Sequence, residues 1–423
     1  MFSVKSCLTV GVALVVTAFS SNANASGFAV YAAGAKEQAM GNSVRAHSEG
    51  PASAYHNPAL MTELVGTQAQ IGTTLVFPSR EFKSSQTGQT AKTDSDVFFP
   101  STLFVTHQVS DQCTAGLAIL NPFGLATDWG KTWEGRYLAT NSEIKTYNIN
   151  PNIAWEVNDR LSLAAGVDFL LFDATLENNI NLSTYGLPDA EQKFEGDGHG
   201  YGYNLGLLCR PIENWSFGAS YRSRINVDVE GKAKFKRPTS QNPSINTTIQ
   251  TLFPDTDGST EINLPAQLFV GLCYQGIDKL TVELGARWEE WSCYKELAFN
   301  FDKPVAGSNT SVIPKKWHDT YSVVAGGKYE MTDAFAMLAS VFYERNPIPN
   351  ETFDPRLPSA DKYGFGLGIA KTTEKFNWAI SYFYEEYYSR EKNNSLGATK
   401  GGTANGEYDT DIHIVAVSVG YTF

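Results

Sequence analysis

The sequence predicts an all-β fold, a fourteen-stranded antiparallel transmembrane β-barrel with an N-terminal hatch segment plugging its lumen. Three observations predict it: an export signal, a terminal segment of strict period-two alternation ending on Phe423, and a series of short polar turns.

Lys5 supplies a short basic region, residues 8–19 an apolar run, and Ala23-Asn24-Ala25 the small-x-small site that signal peptidase cuts, so residues 1–25 read as a signal peptide. The run is about a dozen residues long, against roughly 20 for a spanning helix, which argues against an anchor. Cys7 precedes the apolar run and is not placed for lipoprotein processing.

At the other end Val415, Val417, Val419, Tyr421 and Phe423 alternate with Ala416, Ser418, Gly420 and Thr422. A strand that meets lipid on one face and a polar interior on the other needs this pattern. Such a terminal strand, ending on Phe, resembles those read by the outer-membrane barrel assembly machinery, which is the expected partner in biogenesis. Outer-membrane lipids and lipopolysaccharide are the expected surroundings, and one chain the expected unit.

Composition agrees. Mean hydropathy is −0.25, so the chain is not a bundle of membrane helices. A barrel dilutes its lipid-facing residues one in two and looks soluble by this measure. The 13% aromatic content suits girdles at both interfaces, and the net charge of −12 argues against nucleic acid. Cys113, Cys209, Cys273 and Cys293 lack metal-ligand spacing and read as free thiols, so no metal or cofactor is expected.

The turns are Ser110-Asp111-Gln112, Asn158-Asp159, Ile212-Glu213-Asn214, Gly276-Ile277-Asp278, Met331-Thr332-Asp333 and Thr372-Thr373-Glu374. Their separations suit two strands plus one long loop, the asymmetry of outer-membrane barrels, with short turns periplasmic. Six turns join twelve strands; a first strand near residues 68–77 and the terminal one make fourteen. The second strand is expected near residues 97–107. Trp215, Phe217, Ala219 and Tyr221 alternate with small or polar residues, as do Leu280, Val282, Leu284, Ala286 and Trp288, and Trp378, Ile380, Tyr382 and Tyr384. A charge facing lipid costs about 2–4 kcal/mol near the midplane, so Glu283, Arg287 and Glu289 must point inward.

Residues 26–65 show no period-two pattern, and the barrel is placed at 66–423. Residues 35–40 suit a helical turn, and Asn57-Pro58-Ala59-Leu60-Met61 reads as a helix start, with Asn57 as N-cap and Pro58 at the first position. Phe28, Val30, Tyr31, Met40, Leu60, Met61 and Leu64 make the segment too apolar for a disordered tail, which points to a lumenal plug.

These residues together resemble the FadL family of outer-membrane channels for long-chain fatty acids and other hydrophobic compounds (OmpP1/FadL/TodX). The matches are Ser26-Gly27-Phe28, Asn57-Pro58-Ala59-Leu60, Gly124-Leu125-Ala126-Thr127, Tyr221-Arg222-Ser223, Asn263-Leu264-Pro265, Trp288 with Trp291, Pro347-Ile348-Pro349, and Leu357-Pro358 followed by Asp361. They fall in family order across the mature chain. The resemblance implies that Asn57, Pro58 and Ala59 form the hatch motif, and that ligand leaves sideways through a gap made by a kink in strand three. That kink falls at Asn121-Pro122-Phe123-Gly124, where Pro122 cannot donate to a ladder and Gly124 permits a bend. A strand end before a loop explains the same residues.

The resemblance also implies a ligand pocket that includes Phe28 and basic residues near a fatty-acid carboxylate. One such arginine position falls at or near Asn178, and a lysine position close to Lys315 and Lys316. Asparagine in place of arginine weakens a grip on carboxylate. Monoaromatic hydrocarbons and other apolar compounds are therefore the competing substrates. Residues 236–261, with Leu252-Phe253-Pro254, read either as part of an outer hydrophobic groove or as a surface loop.

Other classes find little support. The histidines His47, His56, His107, His199, His318 and His413 have no companion pattern for a wall-borne hydrolase, so no enzyme is expected. Asp255-Thr256-Asp257-Gly258 lacks the remaining ligands of a calcium loop and reads as a turn. Gly198-His199-Gly200-Tyr201-Gly202 reads as the glycine-rich start of a strand. An open diffusion porin or an adhesin is the remaining rival.

Overall fold

The computed structural model describes residues 27–94 and 97–423; the signal expected at residues 1–25 lies outside the described residues. Its ladder segments join into fourteen strands: β1 (Thr67–Ser84), β2 (Ser101–Ser110), β3 (Cys113–Leu120 and Gly124–Asp128), β4 (Asn141–Asn158), β5 (Leu161–Ile180), β6 (Ala190–Ile212), β7 (Trp215–Arg222 and Ile225–Lys236), β8 (Thr256–Leu264 and Gln267–Ile277), β9 (Leu280–Glu289 and Glu296–Val305), β10 (Ser308–Pro314 and Thr320–Glu330), β11 (Phe335–Glu344), β12 (Lys362–Thr372), β13 (Phe376–Tyr387) and β14 (Gly406–Thr422). Neighbours pair antiparallel, and β14 pairs back on β1 from Gln68↔Thr422 to Ser84↔Gly406, which closes the barrel.

All six short turns join neighbouring strands, from β2–β3 to β12–β13. Alternation places the side chains as expected. Ser216, Gly218, Ser220 and Arg222 are buried inside, while Phe217 faces out. An exposed apolar belt that includes Ile71, Ile153, Trp155, Val167, Leu284 and Val341 meets the membrane. The four cysteines among the described residues, Cys113, Cys209, Cys273 and Cys293, are free.

Some expected boundaries move. β1 runs to Ser84, well past the reach expected for it, because β14 pairs along its full length. β2 begins its ladder at Ser101, not residue 97. Asp255-Thr256-Asp257-Gly258 is not a turn: Thr256 opens β8 and pairs with Ala233 of β7. The run from Gly198 to Gly202 lies mid-strand in β6, since that strand already starts at Ala190.

Residues 27–66 lie inside the wall. Helix α1 (Ala35–Ala39) packs on β11 to β14, whereas the 3₁₀ turn Pro58–Glu63 packs on β3 to β6. The segment thus touches both sides of the closed barrel, consistent with the expected hatch. Asn57 caps that turn, its Oδ1 accepting from Ala59 N at 3.2 Å, and its Nδ2 donates to Arg45 O (2.7 Å) and to Leu207 O of β6 (2.9 Å). The wall makes room with glycine: a Cβ on Gly218 would stand 1.8 Å from Arg45 O, and one on Gly206 2.6 Å from Asn57 Oδ1.

Charge holds the segment in place. Glu283 Oε1 accepts from Arg45 N (2.6 Å) and Ala46 N (3.0 Å), and its Oε2 meets His47 Nδ1 at 2.5 Å. His47 Nε2 reaches Glu49 (3.2 Å), which also pairs with Lys328 of β10 at 2.6 Å. Tyr31 donates to Glu289 (2.5 Å) beneath the Arg287 guanidinium, 3.6 Å from the ring centre. Glu283, Arg287 and Glu289 thus point inward, as the lipid face requires. Helix α2 (Ser53–His56) is gripped by Arg222, which donates to Tyr55 O (2.8 Å) and to Asp168 (2.8 Å).

Two changes test this packing. Gly218→Val is expected to push the backbone at Arg45 off the wall. Trypsin should then cut after Arg45 in the folded barrel, which native burial prevents; continued resistance contradicts the seating. Glu37 is fully buried, neither oxygen meets a donor from another described residue, and burial raises its pKa to about 7. A carboxyl whose folded pKa lies above its unfolded one contributes stability at low pH and loses it as pH rises through about 7. Glu37→Gln is expected to slow amide exchange over residues 35–44 at pH 8 and to change little at pH 5. Equal exchange rates for the two forms at pH 8 contradict the prediction.

Candidate functional site: a cavity that opens through the wall

The break in β3 is where backbone chemistry departs from a continuous barrel. Below it, β2 and β3 pair from Ser110↔Cys113 up to Leu103↔Ile119. Above it, Gly124–Asp128 forms a ladder, among the described residues, with β4 alone, from Gly124↔Lys145 to Asp128↔Asn141. The edge of β2 meanwhile continues along β1, with a bridge between Val76 and Phe98. The wall is therefore open between residues 97–100 on one side and 121–127 on the other. Ser101 N to Asn121 Oδ1 (3.1 Å) closes the lower corner, and Asp94 N to Asp128 O (2.9 Å) the upper.

Pro122 and Gly124 make the break, but side chains stabilise it. Asn121 Nδ2 donates to Thr146 O (2.5 Å), Phe123 N donates to the Thr146 hydroxyl (3.1 Å), and that hydroxyl donates to Phe123 O (2.6 Å). Thr146 was not legible as part of this site; its only signal is a polar residue on an inward strand position. The lumenal segment supplies the rest. Val30 N donates to Pro122 O and Gly124 N to Phe28 O, both at 2.9 Å, and Ala29 bridges Phe123.

Behind the opening lies a cavity of ≈ 380 Å³. Ile144 and Thr146 of β4 face the lumen and are buried, whereas Lys145 and Tyr147 face outward and are exposed, yet all four line this one cavity. Both faces of one strand border a single space only where the wall is breached. Phe28 lines its inner side, packed edge-on against Trp291 (4.9 Å), Trp317 (6.0 Å) and Phe123 (6.1 Å). Phe342 and Phe383, stacked at 5.0 Å, line it further up with Ile412 and Ile414.

Phe28 and the Asn121–Phe123–Gly124 corner are thus brought together at the cavity. Asn57, Pro58 and Ala59 sit below it, buried against β6. The expected head-group residues lie elsewhere. Asn178 is on β5, with its amide turned to Asn179 O (3.0 Å), and does not line the cavity. Lys315 is buried away from the cavity and ion-paired to Asp354 (3.2 Å), which also holds Arg356 (2.9 Å). Burial lowers the Lys315 pKa, and Asp354 only partly restores it. Lys316 is exposed, in a left-handed conformation (φ 50°). Residues 236–261 carry helix α3 (Pro243–Leu252), and Phe253 is buried 5.9 Å from the Phe235 ring, so this loop covers the lumenal cluster.

Known proteins bear on this geometry. A profile of the outer membrane protein transport family (OMPP1/FadL/TodX) matches residues 16–423. The long-chain fatty acid transport protein of Salmonella typhi is 25% identical over 401 residues, covering 88% of each chain. The crystal structure of a Pseudomonas aeruginosa FadL homologue superposes with a TM-score of 0.84 at 21% identity, over 94% of this chain and 100% of that one. The Pseudomonas putida toluene transporter TodX gives 0.75 at 17% identity, over 94% and 99%. The profile covers nearly the whole chain, and the two structures share its closed barrel. This outer-membrane β-barrel belongs to the OMPP1/FadL/TodX family of outer membrane transport proteins, which are channels rather than enzymes.

Proposed function

We propose that the chain takes up hydrophobic molecules passively across the outer membrane, long-chain fatty acids foremost, and releases them sideways into the bilayer at the β3 break. One observation carries this reading: the cavity is lined by both faces of β4, so it joins the lumen to the outside of the wall. The physical case follows from the cargo. An alkyl chain gains about 0.8 kcal/mol per CH₂ on leaving water for an apolar site, and a sideways exit never returns it to water. The lumenal segment, held through Asn57 and Glu283, blocks the straight path down the barrel. Binding and release need no energy source if metabolism removes the product.

Monoaromatic hydrocarbons are the second reading. Asn178 carries no charge, Lys315 is already paired, and the toluene transporter TodX has the same fold. The cavity wall of Phe28, Phe123, Phe342 and Phe383 suits an aromatic ring as well as an alkyl chain.

Uptake of labelled oleate and labelled toluene by cells with no other such channel separates the two readings. Oleate uptake is expected; toluene uptake alone would replace it with the second. Ala126→Trp, which puts bulk into the opening, is expected to cut uptake at least tenfold while the barrel stays folded, because the indole occupies the gap that the solute must cross. Undiminished uptake in that variant argues against the sideways route.

A further inference from the structure

The charge network beneath the cavity contains a set of side chains that the uptake route does not use. His47 of the lumenal segment, Cys273 of β8 and Glu283 of β9 bring one nitrogen, one sulfur and one carboxylate oxygen within 4.8 Å of one another. All three residues are buried. Cys273 and Glu283 are direct partners on the β8–β9 ladder and both face inward, so the wall presents sulfur and carboxylate side by side. His47 meets them from the lumenal segment, with Nδ1 2.5 Å from Glu283 Oε2. His47 and Glu283 stand 236 positions apart in the chain, so no spacing motif announces the set.

The surrounding groups orient these donors as a metal ion requires. His47 Nε2 meets Glu49 Oε1 at 3.2 Å, and a carboxylate on that ring nitrogen fixes the tautomer that leaves Nδ1 to ligate. Glu49 is itself held by Lys328 (2.6 Å) and Lys36 (3.9 Å), which balance its charge. Glu283 Oε1 accepts from the Arg45 and Ala46 amides, and Oε2 is left turned to His47. A hydrogen-bonded pair of His47 and Glu283 would be complete without a sulfur at position 273.

Imidazole, thiolate and carboxylate together suit zinc, whereas calcium and magnesium take oxygen donors. Tetrahedral zinc sets its donors roughly 3.3–3.7 Å apart, so adjustments of about an ångström close a set that already lies within 4.8 Å. One thiolate and one carboxylate neutralise the dication. His47 also lines a polar cavity of ≈ 280 Å³ with Glu63, Arg210 and Ser216, beside the short turn Ile212-Glu213-Asn214. Short turns are periplasmic in such barrels, so water and ions reach His47 from that side.

We propose that His47 Nδ1, Cys273 Sγ and Glu283 Oε2 bind one Zn²⁺, with water from that cavity in the fourth position. The ion pins the lumenal segment to β8 and β9 at the end nearest the short turns. Binding releases the Cys273 thiol proton to solvent, so affinity rises with pH. The site is independent of which solute the channel carries.

The test uses the purified full chain in detergent, without a polyhistidine tag, kept reduced with a phosphine and stripped by a chelator. Zn²⁺ and Co²⁺ are the probes. Competition against a chromophoric chelator should give one Zn²⁺ per chain, and Co²⁺ should give a sulfur-to-cobalt charge-transfer band. Cys273→Ser, checked for folding by heat-modifiable gel migration, should abolish the band. Its Zn²⁺ affinity should fall by more than the roughly tenfold lost when an outer partner of a ligand is changed. Cys293→Ser, at a buried thiol outside the set, should keep both the band and the affinity. Zn²⁺ at about a hundredfold excess over its dissociation constant should slow amide exchange over residues 44–49 at least about tenfold, in the native chain and not in Cys273→Ser. No stoichiometric binding overturns the proposal. A band or affinity unchanged in Cys273→Ser also overturns it, the ion then being adventitious. Binding through Cys273 without slowed exchange overturns the pinning role.

Discussion

Inside a bilayer every backbone N–H and C=O must find a partner within the protein, because no water is present to take its place. A closed barrel meets this constraint by pairing every strand with two neighbours, and the break in β3 violates it locally. The rest of the structure answers that violation. Asn121 and Thr146 substitute side-chain bonds for ladder bonds across the kink, and Phe28 to Val30 add a short run of main-chain bonds to its inner edge. The N-terminal segment thus does two things at once. It packs against both sides of the barrel, and its main chain bonds the inner edge of the opening.

The same segment divides the lumen by polarity. Toward the short turns, Glu283, His47, Glu49 and Lys328 form a connected charge network in which a hydrocarbon has nothing to gain. Toward the loops, an aromatic and aliphatic cluster extends from Phe28 through Phe194 and Phe299 to Tyr408. An apolar solute entering from the loops finds favourable surface down to Phe28 and a costly charged layer beneath it. The breach at β3 lies at that boundary, where the proposed sideways route leaves the lumen.

Much of this fold is legible in the sequence because barrels repeat a simple physical pattern. Short turns such as Asn158-Asp159 and Met331-Thr332-Asp333 count the strands, and period-two alternation sets which face of each meets lipid. Glu283 and Arg287 announce their direction through the cost of charge in hydrocarbon. Pro122 and Gly124 mark the kink because neither suits a continuous ladder. Contacts distant in the chain leave no such mark. The pairing of Phe28 with Gly124 joins segments nearly a hundred residues apart, and nothing local to either predicts it. Lys315 misleads for the same reason, since Asp354, which neutralises it, lies far along the chain.

The most direct measurement of the route is photo-crosslinking in native outer membranes with a fatty acid carrying a diazirine on its tail, adducts being mapped by mass spectrometry. Adducts at Phe98, Phe99 and Ser101 on one rim, and at Phe123, Leu125 and Tyr147 on the other, are the expected result, since these residues border the breach on both faces of the wall. Adducts absent from the rim but present at Glu63, Arg160 and Arg210, around the mouth nearest the short turns, would show passage straight down the barrel and contradict sideways release.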